Sequence, residues 1–369
     1  MDLKENKVDQ GSISTPESTI EKEGHFKIKQ SQRRDIKRLD VVADYPSNAL
    51  VEISNGCNHQ CLFCYNTLMQ RKVGKLDLKT YEYFLKSTTS KCLKEIGLYS
   101  TGEPFINKDL HLYIKLAKKY GLKYIYATSN GALANPDYVE KCIKEGLNSI
   151  KFSVNASDRD TYKSIHGKDD WDSVLNNIRS INKLKLNKYK NFKLLGSCVM
   201  TTITGDIREQ HKKIFGDIFE DTMYHWADNQ AGRNAEYVEK ISPKLTQTPL
   251  NQIKPCEMLW SRYHLTCEGF LTSCCVDYEH DLVFGDINKK NPLEEWNNDL
   301  IQSLRYKHLT KNIAGTICFN CLTGEKEEYS AISDIGFNNI SMNKLNKRKF
   351  EKYKQRLDEE ITKNKQLKK

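Results

Sequence analysis

From Ala49 onward, short β-rich apolar runs alternate with segments whose apolar residues recur at helical spacing. Val51-Glu52-Ile53 opens the series. Asp77 then caps a helix with Leu78, Tyr81 and Leu85 on one face, and Ile96 to Ser100 reads as the second strand. Leu110, Tyr113, Ile114 and Ala117 follow at i, i+3, i+4, i+7, and that helix stops at Gly121. Tyr124–Thr128 is the third strand. Asn135-Pro136 supplies a cap and a first-turn Pro to a helix that ends at Gly146. Ser149–Val154 is the fourth strand, and Trp171, Val174, Leu175, Ile178 and Ile181 line the next helix. Leu194–Val199 and Thr222–Trp226 complete six strands. Helical crossovers between successive strands predict a parallel sheet, because parallel neighbours need long connections.

Past Trp226 the pattern changes. Residues 229–255 contain Gly232, Pro243, Pro249 and Pro255 and read as a connector. Leu265-Thr266-Cys267 and Phe270-Leu271-Thr272 flank Glu268-Gly269 as a hairpin. Asn291-Pro292 opens a helix expected to run through Trp296, Leu300 and Leu304. Near the end, Phe350, Tyr353, Leu357 and Ile361 mark an amphipathic helix with a Lys-rich face.

Composition bounds the rest. The 369 residues, 38% hydrophobic, suffice for more than one unit. No apolar run approaches the roughly 18 residues of a membrane helix, and Met1–Glu5 lacks a secretory pattern, so a cytoplasmic location is expected. The formal charge of +10 suggests a nucleic-acid partner until it is located. Residues 340–369 hold eleven Lys or Arg against four acids. The basic balance is that of one tail, so docking of its apolar face is expected and nucleic-acid binding is not. Residues 1–45 carry nine basic and nine acidic side chains and read as a flexible arm.

Twelve Cys in a reducing compartment point to ligands and core thiols. Three stand within eight residues: Cys57, Cys61 and Cys64. Three thiolates leave one iron of a four-iron cubane open, whereas a zinc site would need a fourth ligand such as His59 or a distant Cys. The C-x3-C-x2-C spacing with Phe63 before the last Cys resembles the motif of the radical S-adenosylmethionine (radical SAM) superfamily. The resemblance implies a [4Fe-4S] cluster on these three Cys, with SAM chelating the fourth iron and Phe63 near the adenine. An external one-electron donor such as flavodoxin or ferredoxin would reduce the cluster, and SAM would be cleaved to a 5′-deoxyadenosyl radical. It also implies a partial (β/α)6 TIM-like barrel over residues 46–230, with active groups at the C-terminal strand ends.

The strand ends carry matching residues. Thr101-Gly102-Glu103-Pro104 resembles the family's Gly-Gly-Glu motif with Thr for the first Gly, and places Glu103 to accept from the SAM ammonium. Ser129 and Asn130 end strand three. Ser153 and Asn155 end strand four on one side of it, suited either to SAM or to capping the next helix.

Cys256, Cys274, Cys318 and Cys321, spread around the hairpin and the following helix, resemble the SPASM or shortened "twitch" auxiliary-cluster domain. The resemblance implies a second, fully ligated [4Fe-4S] cluster in a small α+β unit over residues 256–322, followed by the basic helical tail of 323–369; zinc is the competing occupant. No Cys follows Cys321, which sets this chain apart from relatives with two auxiliary clusters. The shorter set resembles enzymes that oxidise an alcohol of a sugar or aminocyclitol. A carbohydrate-like small molecule is therefore the expected substrate. His225 and Asp228 at the mouth of the last strand are candidate bases, and Arg233 a candidate anion anchor. Cys198, Cys267 or Cys275 could return hydrogen if the enzyme were an epimerase. Peptide modification and a non-catalytic zinc protein that binds RNA are the other readings.

Overall fold

The computed structural model describes residues 39–233, 235–243, 247–336 and 347–367. The six expected strands form: β1 (Asn48–Val51), β2 (Glu95–Gly97), β3 (Tyr124–Ser129), β4 (Ser149–Ser153), β5 (Lys193–Met200) and β6 (Thr222–Trp226). All pair in parallel with their sequence neighbours. Local chemistry sets the intervening helices. Asp77 accepts from the N–H groups of Lys79 and Thr80, and Asn135 from those of Asp137 and Tyr138, which satisfies first-turn donors. Gly146, at φ +119°, closes the helix Pro136–Glu145 in the left-handed region that suits glycine.

The sheet does not stop at six strands. β7 (Tyr263–Leu265) pairs in parallel with β1, and β8 (Phe270–Thr272) and β9 (Val283–Asp286) extend it antiparallel. The order is β6-β5-β4-β3-β2-β1-β7-β8-β9. The hairpin of the cysteine-rich region is thus welded to the barrel's first strand.

Register divides the sheet into two faces, since paired residues share a side and alternate residues swap it. Ala49, Val51, Ile96, Ile125, Ala127, Ile150, Phe152 and Leu194 point to the helices and form the main core. Leu50, Gly97, Tyr126 and Ser149 stand in register on the other, concave face. With them, two residues on, are Thr128, Lys151 and Leu195, and further along Val199 and His225.

Three boundaries differ from the sequence expectation. Residues 39–45 are not part of a loose arm: Trp260 and Trp296 donate from their indoles to the carbonyls of Asp40 and Asp44, and Ala43 exchanges two hydrogen bonds with Asn297. The rest of the arm, 1–38, lies outside the described residues. The connector carries a short helix, Ala235–Val238, whose Val238 is buried with Ile241. The helix after Asn291 is two helices, Pro292–Glu295 and Asp299–Leu309, because Asn298 accepts from Leu300 and Ile301 N–H and restarts the helix. As its apolar face led one to expect, the tail helix Lys347–Leu367 docks on the body through Tyr353 and Leu357.

Candidate active site

The triplet loop follows β1 and is pinned from several sides. Gly102 packs on it so closely that a Cβ there would lie 2.5 Å from the Ser54 carbonyl and 2.6 Å from that of Gly56. Glu103 N–H donates to the Gly56 carbonyl at 2.8 Å. The Asn66 amide bridges the carbonyls of Asn55 and Thr101 at 2.8 Å each. Gly102 therefore holds the Glu103 loop against the thiols, a role that only the absence of a side chain permits.

Glu103 is buried and fully engaged. One carboxylate oxygen accepts from Ser129 Oγ at 2.9 Å and Phe105 N–H at 3.0 Å, and the other from Asn130 N–H at 2.8 Å. Burial pushes its carboxyl up to about 7 against these donors. Asn130 donates to the Asn58 side-chain oxygen at 2.9 Å and lies 4.0 Å from Cys57 Sγ. The Glu103–Ser129–Asn130 set thus faces the first thiol. Phe63 is 9% exposed and packs in an apolar cluster with Ile165, Val199 and Ala227.

Asn155 is buried and occupied: its side-chain oxygen accepts from Val199 N–H at 2.8 Å and ties β4 to β5. It does not cap the next helix; Asp158 does, accepting from Thr161 N–H. Ser153 lies beside it, 3.3–3.4 Å from its amide.

Sequence reading missed His166. Its Nε2 accepts from Asn155 N–H at 3.1 Å, so the neutral ring carries its proton on Nδ1. Nδ1 lies 3.6 Å from Cys61 Sγ and 3.3 Å from His59 Nδ1, while His59 Nε2 meets Asp170 at 3.1 Å. Complete burial holds His166 well below the ordinary histidine range, and the neighbouring His59 adds to this. Its Nδ1–H is therefore directed between two acceptors, His59 Nδ1 and the central thiol. No local signal marks it, since 105 residues separate it from Cys61. His59, Cys61 and His166 also bring three ligand atoms within 4.8 Å of one another, but Asp170 already occupies one His59 nitrogen.

The thiols themselves fit a metal centre. Cys57 is pushed up to about 12 by burial and then by Glu103, with Cys64 adding repulsion. Burial and then the Cys64 and Cys57 thiols raise Cys61. Buried thiols crowded in this way lack a cation, which bound iron would supply. The same holds for the second group. Cys318 is raised by burial, then by Cys321 and Cys256; Cys321 is raised to about 12 by burial, then by Cys256. Cys274 is raised by its hydrogen bond to Cys275, then by burial, with Cys256 and Cys321 nearby. Four thiols converge there.

Tyr278 and Asp228 link the two thiol groups. Tyr278, just after Cys274, places its hydroxyl 3.5 Å from Cys64 Sγ and donates to the Gln230 amide oxygen at 2.8 Å. Asp228 acts electrostatically on Cys64 and on Cys275 and Cys321. Its Oδ1 accepts from Gln230 N–H at 3.0 Å. His225 stands on the concave face; burial lowers its pKa, Asp228 opposes this, and its Nδ1 has no partner among the described residues.

Three sequence candidates are displaced. Cys198 is buried on the opposite face of β5 with Met200 and Ile207, so it cannot meet a substrate in the barrel. Arg233 is ion-paired with Asp281 and lies over Tyr65 and Tyr329. Cys267 is buried beside Glu52 and Arg71. Arg71 is itself a structural knot, bonded to both Glu52 oxygens, both Glu268 oxygens and the Tyr278 carbonyl.

A parallel half-barrel with a thiol triplet at its strand ends and a four-thiol site beside it has the donor sets of two iron–sulfur sites. The profile of the Radical SAM superfamily matches residues 51–214, and that of the SPASM iron–sulfur cluster-binding domain matches residues 256–322. The chain belongs to the radical SAM superfamily and carries a SPASM domain after its core. That combination implies SAM and two [4Fe-4S] clusters. No described helix is long and apolar enough to cross a membrane.

Among curated relatives, the probable GTP 3′,8-cyclase of Saccharolobus solfataricus is 31% identical over 134 residues, covering 35% of this chain and 42% of that protein. The GTP 3′,8-cyclase of Campylobacter jejuni subsp. doylei is 30% identical over 145 residues, 37% of this chain and 45% of its own. The match thus spans less than half of either relative. Among solved structures, BtrN in complex with AdoMet and 2-DOIA aligns at TM-score 0.51 and 16% identity, covering 81% of this chain and 100% of that one. Streptococcus suis SuiB bound to precursor peptide SuiA aligns at 0.57 and 14%, covering 87% and 84%. Native anSMEcpe with bound AdoMet aligns at 0.55 and 13%, covering 87% and 100%. At these identities the likeness is one of fold.

Proposed function

We propose that this radical SAM enzyme oxidises a secondary alcohol on a carbohydrate-like or aminocyclitol small molecule. The observation that carries the reading is that Asp228 acts electrostatically on His225, on Cys64 of the first thiol set and on Cys321 of the second. When bound, SAM and the first cluster supply a hydrogen-abstracting 5′-deoxyadenosyl radical, and the second cluster supplies an acceptor for one electron. Cys57, Cys61 and Cys64 would hold the first; Cys256, Cys274, Cys318 and Cys321 would hold the second.

The chain's own residues do the rest. Glu103, with Ser129 and Asn130 fixing its oxygens, receives the SAM ammonium. Ser153 and Asn155 border the same strand ends. Burial keeps His225 neutral with Nδ1 unpartnered, which suits it to accept the hydroxyl proton of the alcohol. Asp228 stabilises the imidazolium that forms. The displacement of Cys198 from the concave face and the burial of Cys267 beside Glu52 and Arg71 weigh against an epimerase using either thiol. The neighbour BtrN, crystallised with 2-DOIA, supports a small-molecule substrate; a cytoplasmic location and flavodoxin or ferredoxin as electron donor complete the reading.

Anaerobically reconstituted enzyme, reduced by flavodoxin, is to be incubated with SAM and a panel of sugar and aminocyclitol alcohols. Formation of 5′-deoxyadenosine with an equal amount of ketone is expected. Formation of 5′-deoxyadenosine with a product isomeric to the substrate, or modification of a peptide only, would overturn the dehydrogenase reading.

A further inference from the structure

The concave face of the sheet is chemically unlike a protein interior. Register puts Tyr126, Thr128, Ser149, Lys151, Ser197, His225 and His264 on it. Arg262, two residues before His264, belongs to the same side. Five polar atoms of this wall are buried with no hydrogen-bond partner among the described residues: Thr128 Oγ1, His225 Nδ1, Arg262 Nε and both ring nitrogens of His264. Buried polar groups are rarely left so, because each has given up its hydrogen bonds to water without replacement. They come from three different strands or strand ends and line one concavity, which is the signature of a ligand's place.

Cationic side chains stand on that wall. Lys151 lies mid-strand with its Nζ 5.9 Å from the Tyr99 ring centroid. Arg262 is close enough to act on Tyr126, His264 and Cys275. Acids share the face as well: Glu52 is committed to Arg71, and Glu95, in the row of Asn48 and Arg262, accepts from the Asn48 amide at 3.2 Å. Asp228 at the rim holds Gln230.

We propose that the substrate carries an oxyanion, a phosphate ester or diphosphate, bound on this concave face by Lys151 and Arg262 with Thr128 as a further donor. The inference rests on reading the barrel interior as the substrate chamber of the alcohol oxidation above, and it names the substrate class: a phosphorylated or nucleotide-linked sugar alcohol. A guanidinium and an ammonium on one wall match the charge and spread of such a group. The alcohol end is then left toward His225 and the triplet.

The test uses full-length, cluster-loaded enzyme with SAM and inorganic pyrophosphate as the probe, followed by calorimetry. Pyrophosphate is expected to bind, more weakly as salt is raised. Lys151→Gln and Arg262→Gln are each expected to weaken binding by about tenfold or more, with Lys151→Arg and Arg262→Lys retaining most of it. Absence of pyrophosphate binding by the unmodified enzyme, or equal binding by the Gln variants, would overturn the proposal. Oxidation of neutral sugars without preference for their phosphates would overturn it too, while leaving the dehydrogenase reading standing. Pyrophosphate binding lost in both Gln variants, with no alcohol oxidised, would support the anion site and sink the dehydrogenase.

Discussion

The tail helix Lys347–Leu367 rests directly on the triplet loop, and replacing Leu357 by Ala should loosen both. Leu357 is 0% exposed and packs with Leu62, Phe63 and Leu68 in one apolar cluster. Tyr353 donates its hydroxyl to the Leu62 carbonyl, and Arg356 Nη2 donates to the carbonyls of Gln60 at 2.7 Å and Ser164 at 3.3 Å. A Lys-rich helix of this length is marginal in water by itself, so its order comes from this contact. Truncating a buried Leu to Ala costs about 2–5 kcal/mol. A loss of about 3 kcal/mol lowers the ratio of docked to undocked helix on the order of a hundredfold.

Undocking exposes the many Lys and Arg of the helix to trypsin and frees the backbone of residues 60–62. The Leu357→Ala variant should therefore release tail fragments much faster than the unmodified chain. It should also lose iron from the first site under chelator, ending near four irons per chain in place of about eight. Leu186, 61% exposed, gives the control, since its replacement by Ala should change neither. Equal tryptic release and equal iron retention in Leu357→Ala would refute the idea that this helix holds the cluster loop.

Gly102→Ala forces a methyl against the Ser54 and Gly56 carbonyls and should cost about 1–3 kcal/mol or more, read as a lower melting temperature and impaired cluster loading. Glu103 has its carboxyl raised to about 7 in the ligand-free protein, so it is mostly protonated well below that pH, and pairing with the SAM ammonium requires it ionised. SAM affinity should rise up to tenfold per pH unit toward about pH 7 and flatten above it, and Glu103→Gln should abolish that slope in calorimetric titrations. His166→Phe removes the N–H that faces Cys61 at 3.6 Å and should move the midpoint potential of the first cluster to a more negative value by EPR-monitored titration; an unchanged potential would show that the contact does not tune the cluster. Asn298→Ala removes the acceptor for Leu300 and Ile301 N–H and should cost about 1 kcal/mol in denaturant unfolding.

What could be read from the sequence was whatever the physics makes local. Asp77, Asn135 and Gly146 act within three or four residues of themselves, so the helix ends they set were legible, as was the C-x3-C-x2-C spacing. Asn298 was legible too, but the apolar period of Trp296, Leu300 and Leu304 reads straight through it unless the cap is weighed against it. Other features depend on partners far along the chain. The hairpin was legible, with its first strand two residues earlier than read, but the pairing of that strand, β7, with β1 is not announced by any local pattern. His166 meets Cys61 across 105 residues, and Arg71 meets Glu268 across 197.

The distinction matters most for the substrate chamber. Alternation along a single strand says that Lys151 and Phe152 point oppositely, but not which of them faces the helices. That is settled only when Gly97, whose missing Cβ leaves room for Leu50 and the Tyr126 ring, fixes β1, β2 and β3 in one register. The same register that exposes Lys151, His225 and Arg262 to one concavity turns Cys198 away from it. Arg233 looked like an anion anchor in sequence because its charge was visible; its commitment to Asp281 was not. A residue's chemistry is written locally, but whether that chemistry is available to a ligand depends on which distant group has already claimed it.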